Sequence, residues 1–171
     1  DIIKTNSDGE KYLNVSEKDF NLKLTNLKEK PIISFLRNFS APVKISWSRD
    51  LSDLFVLANF DDDTFNRREA FSNIYLALYK ELFELAKANP QDDIASLVNK
   101  DDRINSNLEK FSDLITITVQ NKNLSTVIKS KLLLFPSNQI VIQHLGSLEP
   151  RLMLKTENFL KNSSIKKCFS V

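Results

Sequence analysis

The spacing of apolar positions changes near Trp47. Between residues 11 and 47, apolar and polar residues alternate, most clearly at 20–24 and 43–47. A period of two predicts half-buried strands. From Asp50 onward the apolar residues recur every three or four positions, which predicts amphipathic helices. The pattern therefore predicts a mainly α chain, with a short strand-containing segment followed by stacked helices.

The first two helices follow directly from this periodicity. Leu51, Leu54, Phe55 and Ala58 lie at helical spacing after a possible cap at Asp50. The longest helix is predicted from about residue 64 to residue 88 and ends before Pro90. Its apolar stripe consists of Phe71, Ile74, Leu78, Leu82 and Leu85.

The segment after residue 106 gives conflicting signals. Ser106 and Glu109 have the spacing of a capping box, which predicts a helix over residues 107–120. Residues 115–119 are alternating and β-branched, which favours a strand by propensity alone. We predict a helix, because the cap and the upstream periodicity agree.

Three shorter helices complete the pattern. Ser125 is a predicted cap for a helix through Phe135, and Ser137 for a helix that ends at Gly146. Pro150 suits the first position of another helix. Short helices in quick succession are typical of stacked helical pairs.

Composition supports the helical prediction and excludes several function classes. The 171 residues carry a net charge of +2, which gives no basis for nucleic-acid or membrane-surface binding. Only 2 residues are glycine, Gly9 and Gly146, so no glycine-rich phosphate-binding loop exists. No apolar run approaches the ~20 residues of a membrane span.

Candidate chemistry is sparse. Cys168 and His144 are the only residues of their types, which excludes a disulfide within the chain and every two-histidine metal motif. His144 is placed by Gly146 near a helix C-terminus, where its cationic form would meet the helix dipole favourably. We predict no catalytic, cofactor-binding or metal-binding residue in this chain.

Runs of aspartate are the remaining candidates for a site. Residues 61–63 are all aspartate and could in principle hold a hard cation, but the glycine of a calcium loop is missing. We predict a solvated loop whose last member caps the helix beginning at Thr64. Asp92–Asp93 and Asp101–Asp102 are predicted to be a solvated face or helix caps.

The residues nevertheless resemble a known family. Residues 31–43 resemble a segment close to Pro-x-Pro-Ser-Leu-Leu-Arg-x-Phe-Ser-Ala-Pro-Val of the bacterial-type, zinc-dependent aminopeptidase N family. Residues 61–70 resemble its Asp-x-Asp-x-Phe-Asn-Arg-Trp-Glu-Ala segment, with Arg68 where the family usually has Trp. Weaker similarities lie at 13–24, at 131–137 and at Glu149–Pro150, so the resemblance covers about residues 12–160.

The resemblance implies a division of the chain. Residues 1–48 would be the C-terminal strands of an immunoglobulin-like β-domain, and thus an incomplete β-sandwich segment. Residues 49–171 would be the N-terminal part of an α-helical C-terminal domain. The chain would be part of a longer polypeptide.

The resemblance also implies a function for that longer protein. It would be a cytoplasmic zinc aminopeptidase, a hydrolase that removes N-terminal residues from peptides. The His-Glu-x-x-His and Gly-Ala-Met-Glu-Asn motifs of the family's catalytic domain are absent here, so zinc would lie in that domain and not in this chain. The chain's partners would be the rest of the polypeptide and, in the whole protein, peptides. The alternative is a helical-repeat interaction module without enzymatic activity.

Overall fold

The structure is a computed structural model, and it describes residues 3–5, 11–13, 15, 18–37, 40–41, 43 and 49–165. The chain divides into two compact units, Asp1–Pro31 and Ile32–Val171. The second unit contains all the helices described here.

The first unit contains a two-stranded antiparallel hairpin. Strands β1 (Ile3–Thr5) and β2 (Lys11–Leu13) pair with Ile3 opposite Leu13 and Thr5 opposite Lys11. The strand predicted at residues 20–24 is wrong, because these residues have an irregular backbone. Leu22 and Leu24 are about half exposed there, so the predicted apolar face is not buried. A strand needs a neighbour for its backbone groups, and alternation alone does not supply one.

The strand predicted at residues 43–47 cannot be compared in the same way. Val43 is exposed, and the other four positions lie outside the described residues. The predicted β-sandwich segment is therefore not seen in the described part of the chain.

The second unit is helical. Within the described residues its helices are α1 (Leu51–Phe60), α2 (Thr64–Ala88), α3 (Ile94–Val98), α4 (Asp102–Gln120), α5 (Thr126–Leu132), α6 (Asn138–Leu145) and α7 (Pro150–Ile165). The mainly helical prediction is confirmed. The long helix has the predicted bounds, whereas α5 ends three residues before Phe135.

Helix α2 is the centre of the unit and contacts each of the other six helices. Phe71, Ile74, Leu78 and Leu82 of its predicted stripe are buried, and Leu85 is partly buried. Tyr75, Tyr79 and Phe83 are also almost completely buried. A helix that buries residues on most of its circumference is typical of a core position.

Aromatic side chains join α2 to α4 and to the segment after α5. The ring centroids of Phe71 and Phe111 lie 5.1 Å apart, and those of Tyr75 and Phe135 also lie 5.1 Å apart. Both pairs are tilted, which is a favourable arrangement for aromatic rings. Lys161 of α7 lies over the Phe135 ring, 5.6 Å from its centroid. This cluster brings α2, α4 and α7 together.

Polar contacts fix α7 along α2. The Tyr79 hydroxyl donates to the carbonyl oxygen of Met153 at 2.7 Å. Burial raises the pKa of Tyr79 to about 12, so its hydroxyl stays protonated as a donor. Lys87 pairs with Glu149 at 2.6 Å, at the entrance to α7. The ion pair is largely exposed, so the buried hydrogen bond is the stronger constraint.

The helix starts show which sequence signals act as caps. Asp63, Asp93 and Asp101 each accept hydrogen bonds from backbone amides in the first turn of the following helix. Ser125 accepts from the amide of Ile128, and Gly146 ends α6 in the left-handed conformation, with φ +65°. These predicted caps are confirmed, whereas Asp50 and Ser137 occupy the N-cap positions of α1 and α6 without a side-chain cap hydrogen bond.

The capping box predicted at Ser106 and Glu109 is wrong. Helix α4 starts five residues earlier than predicted, at Asp102, and is capped by Asp101. The Asp101 carboxylate accepts from the amides of Arg103 and Ile104, at 3.1 and 3.0 Å. Ser106 therefore lies inside the helix. The first-turn amides that follow Asp101 have no backbone partner within the helix, so the Asp101 side chain can accept from them. The amides that follow Ser106 already form helical backbone hydrogen bonds and need no cap.

The β-branched stretch at 115–119 is helical, as predicted. Ile115 is buried, whereas Ile117 and Val119 are exposed, so the stretch follows a helical and not a two-residue period. The hydroxyls of Thr116 and Thr118 donate to the carbonyl oxygens four residues earlier, at 2.9 and 2.8 Å. Packing on α1, α2 and α7 outweighs the strand propensity of these residues.

Candidate functional site

The three consecutive aspartates lie in the loop between α1 and α2, here called the aspartate loop (Asp61–Asp63). Their carboxylates do not converge. Asp63 caps α2, accepting from the amides of Phe65 and Asn66 at 2.8 and 3.0 Å. Asp61 turns inward, with a side chain only 1% exposed, and Asp62 turns outward, with 78% exposure. The capping prediction for Asp63 is confirmed.

Asp61 is bound by residues from a distant part of the sequence. Its carboxylate accepts from the Ser34 hydroxyl at 2.5 Å and from the amide of Asp63 at 2.9 Å. Arg37 approaches the same carboxylate, with 3.6 Å between Nη1 and Oδ1. A buried carboxylate is costly unless donors surround it, and these groups supply them.

Residues 32–37, here called the strap, supply these donors. Asn66, in the first turn of α2, donates through Nδ2 to the Ser34 hydroxyl at 2.8 Å and to the carbonyl oxygen of Phe35 at 2.9 Å. Ser34 accepts from Asn66 and donates to Asp61, so a continuous chain of hydrogen bonds runs from α2 through the strap to the aspartate loop. Such a chain positions all three segments together.

Two cationic side chains reinforce the strap. The Arg37 guanidinium donates to the exposed Asp62 carboxylate. This hydrogen bond raises the pKa of Arg37 and lowers the pKa of Asp62. Arg49, two residues before α1, lies over the Phe35 ring, 5.8 Å from its centroid. The strap is thus held from the start of α1, the aspartate loop and the start of α2.

The backbone of the strap is unusual at Leu36, where φ is +52°. Leucine rarely enters the left-handed region, because its Cβ then crowds the following carbonyl oxygen. Leu36 lies between the residues that bind the aspartate loop, Ser34 on one side and Arg37 on the other.

Arg68 occupies the α2 position where the resembled family usually has Trp. Its guanidinium is partly buried, and its Nη1 atom is buried without a hydrogen-bond partner. Burial lowers the pKa of Arg68. The charge is therefore accommodated at a cost in solvation that the nearby carboxylate of Glu69 offsets only in part.

His144 lies in the last turn of α6, as predicted. His144 is exposed by surface area, but neighbouring atoms partly desolvate its ring, and this desolvation, and then the nearby positive charge of Lys80, lower its pKa. The neutral imidazole is therefore favoured, contrary to the expectation of a cation at the helix terminus.

The contacts at this junction join the strap to the aspartate loop and to the start of α2. The aspartate loop is engaged with donors, and among residues 3–5, 11–13, 15, 18–37, 40–41, 43 and 49–165 there is no group of three or more His, Cys, Asp or Glu side chains that could hold a metal ion. The helices in that part of the chain include none with the length and apolarity needed to span a bilayer. The arrangement positions a chain segment on a helical pair.

Sequence reasoning missed this junction as a contact. It identified the two halves separately, in residues 31–43 and 61–70, but it did not pair Ser34 or Arg37 with Asp61. The hydrogen-bonding side chains on both segments were visible, yet 27 residues separate Ser34 from Asp61. No local pattern joins residues at that distance.

Helices packed around a central helix define an α-helical domain. Residues 51–169 match the family model described as a domain of unknown function (DUF3458_C) with ARM repeats, and the chain belongs to this family. The match begins at the first residue of α1, so it covers the helices and leaves out the strap.

The chain is also similar to Aminopeptidase N of Caulobacter vibrioides. The two are 30% identical over 111 residues, which is 65% of this chain and 11% of the relative. The chain thus spans about a tenth of the length of that relative. No solved structure matches the chain. The findings support an α-helical domain of the kind found in aminopeptidase N-like proteins.

Proposed function

We propose that the chain is a non-catalytic, architectural segment of a zinc-dependent aminopeptidase that removes N-terminal residues from peptides. The observations that carry this proposal are the similarity to Aminopeptidase N over 111 residues and the family match over residues 51–169. The chain itself contributes no His-Glu-x-x-His motif. Zinc and the general base would lie in another part of the polypeptide.

The proposed role follows from the junction. Residues 1–48 would close an immunoglobulin-like β-domain, and residues 49–171 would open the helical C-terminal domain. The strap lies just before this boundary and is hydrogen-bonded to the aspartate loop and to the first turn of α2. The strap would fix the direction in which the chain enters the helical domain. The segment as a whole would link and cap the catalytic domain. The whole protein would be cytoplasmic and would bind peptides, but not nucleic acid or membrane.

A first experiment tests the non-catalytic role. The 171-residue chain is incubated with zinc and an alanyl chromogenic reporter, and its metal content is measured by elemental analysis. We expect no hydrolysis and no stoichiometric zinc. Stoichiometric zinc together with chelator-sensitive hydrolysis would contradict the proposal.

A second experiment tests the link to peptide hydrolysis in the complete polypeptide that contains this chain. We expect that polypeptide to hydrolyse the alanyl reporter. Arg37→Ala should change kcat/KM for longer peptides more than for the reporter, because it disturbs the junction and not the zinc site. Arg103→Ala is the control, because it removes an exposed ion pair with Glu81 away from the strap. Absence of aminopeptidase activity in the complete polypeptide would overturn the proposal.

The second candidate function is a helical-repeat interaction module without an enzyme. The ARM-repeat description of the family favours it, since stacked helical repeats are common binding scaffolds. The reporter assay on the complete polypeptide discriminates the two, because only the peptidase hydrolyses the substrate.

A further inference from the structure

The strap combines a strained backbone at Leu36 with side-chain contacts on both sides of it. Asn26 and Leu36 are the non-glycine residues with positive φ in the described part of the chain. Asparagine tolerates this conformation through local hydrogen bonds, whereas leucine does not. Leu36 is therefore the position where the backbone conformation must be imposed by its surroundings.

The contacts that impose it lie on both sides of Leu36. Before it, Asn66 binds the Ser34 hydroxyl and the Phe35 carbonyl oxygen, and Ser34 binds Asp61. After it, Arg37 binds Asp62 and approaches Asp61. These contacts fix Ser34 and Arg37, which lie three positions apart, and leave the backbone between them little freedom. The left-handed φ of Leu36 is the conformation that lets both sets of contacts form.

We propose that the strap is a latch that holds Leu36 in a strained conformation, with a released state in which Leu36 returns to negative φ. The inference rests on the proposed architectural function, since the latch would give the chain entering the helical unit two discrete directions. Release of the strain would offset part of the cost of breaking the contacts. A bistable element of this kind can pass a change at the junction to the preceding segment.

The first test removes the contacts. The double variant Ser34→Ala/Arg37→Ala is compared with the wild-type chain by NMR, using the intraresidue amide-to-Hα NOE and coupling of Leu36 to report φ. We expect positive φ in the wild type and negative φ in the variant. Strap amides of the variant should exchange with solvent at least ~10-fold faster, while amides of residues 71–85 keep their protection and show that the helices remain folded.

Persistence of positive φ in the double variant would overturn the proposal, because the conformation would then be intrinsic to the strap. Negative φ in the wild-type chain would also overturn it. If the double variant loses protection at residues 71–85, Asn66→Ala is used instead, since it removes the two Asn66 bonds and leaves the Asp61 carboxylate with its Ser34, Arg37 and amide donors.

The second test measures the strain. Leu36→Ala and Leu36→Gly remove the same side-chain contacts, but only glycine accepts positive φ without cost. We expect the folded-to-unfolded ratio of Leu36→Gly to exceed that of Leu36→Ala by roughly 5-fold, which is near the middle of the range left when glycine's greater freedom in the unfolded state is subtracted from alanine's penalty at positive φ. Equal ratios, or a higher ratio for alanine, would contradict strain at Leu36. Failure here leaves the aminopeptidase role intact, since reporter hydrolysis by the complete polypeptide tests that role separately.

Discussion

Each residue of the aspartate loop has a distinct partner. Asp63 binds amides two and three residues ahead, Asp62 binds Arg37 at the surface, and Asp61 is buried against Ser34. The cap at Asp63 could be predicted from the sequence because its partners are the next residues. The contacts of Ser34 with Asp61 and of Arg37 with Asp62 could not, because Ser34 and Arg37 lie in the strap, 27 and 25 residues away.

The ion pair between Arg37 and Asp62 predicts an acid-sensitive strap. Its hydrogen bond lowers the folded-state pKa of Asp62 below the unfolded value of about 4. The stabilising contribution is therefore present above that unfolded value and is lost as the pH falls through the folded-state pKa. We expect strap amides to lose protection on acidification in this range. The measurement is amide exchange of the strap as a function of pH, corrected for intrinsic exchange.

Asp62→Asn is the matched control for the acid effect, because it keeps the size of the side chain and removes the titrating group. The variant strap should show weaker protection at neutral pH and a flatter profile below about pH 4. An identical acid profile in wild type and variant would contradict the assignment to Asp62.

A second residue-scale prediction concerns the start of α4. Asp101→Ala should lower the free energy of unfolding by about 1 kcal/mol, because two first-turn amides lose their acceptor. Ser106→Ala should change it by no more than about 0.5 kcal/mol, because Ser106 is exposed inside the helix. Urea unfolding of both variants measures the difference. A larger loss of stability for Ser106→Ala than for Asp101→Ala would instead support a capping box at Ser106 and Glu109.

At the scale of elements, local information determined the helices far better than the strands. The bounds of α2 could be predicted because its apolar stripe, its cap and the stop at Asn89–Pro90 all lie within one segment. The strand expected at 20–24 depended on a partner elsewhere, and alternation of residue types does not specify one. Helix α4 was predicted only in part. Its cap was predicted at the wrong residue, but the segment was predicted to be helical despite its β-branched residues.

Two isoleucines in α4 test the helical phase. A strand would place Ile115 and Ile117 on the same face, whereas a helix places them about 200° apart. Ile115 is 5% exposed and Ile117 is 57% exposed. Ile115→Ala should therefore cost about 2–5 kcal/mol of unfolding free energy, and Ile117→Ala about 0.5 kcal/mol or less. Equal costs for the two substitutions, measured by urea unfolding, would contradict the helix.

At the scale of the whole molecule, α2 organises one unit and has no counterpart among the described residues of the other. Its contacts with six helices could not be predicted from the sequence, because periodicity shows that a face is apolar but not which elements cover it. The contact between the strap and the aspartate loop could not be predicted for the same reason. Each segment has a recognisable sequence pattern, but only the fold brings the two together. The residues whose burial is described therefore differ between the units: buried side chains fill the helical unit, whereas residues 18–31 are exposed or partly exposed.

This difference predicts uneven stability along the chain. Residues 71–85 lie in α2 among buried side chains, whereas Leu22 and Leu24 are half exposed on irregular backbone. Amides that open only with global unfolding exchange slowest, and those without regular hydrogen bonding exchange fastest. We expect amides of residues 20–24 to exchange much faster than those of 71–85 in the monomeric chain. Hydrogen exchange at two protein concentrations measures both sets.

Equal, strong protection at high dilution would mean that residues 20–24 belong to a complete sheet. Protection that disappears on dilution would instead mean that they pair with a second copy, as exposed strand edges and apolar faces can.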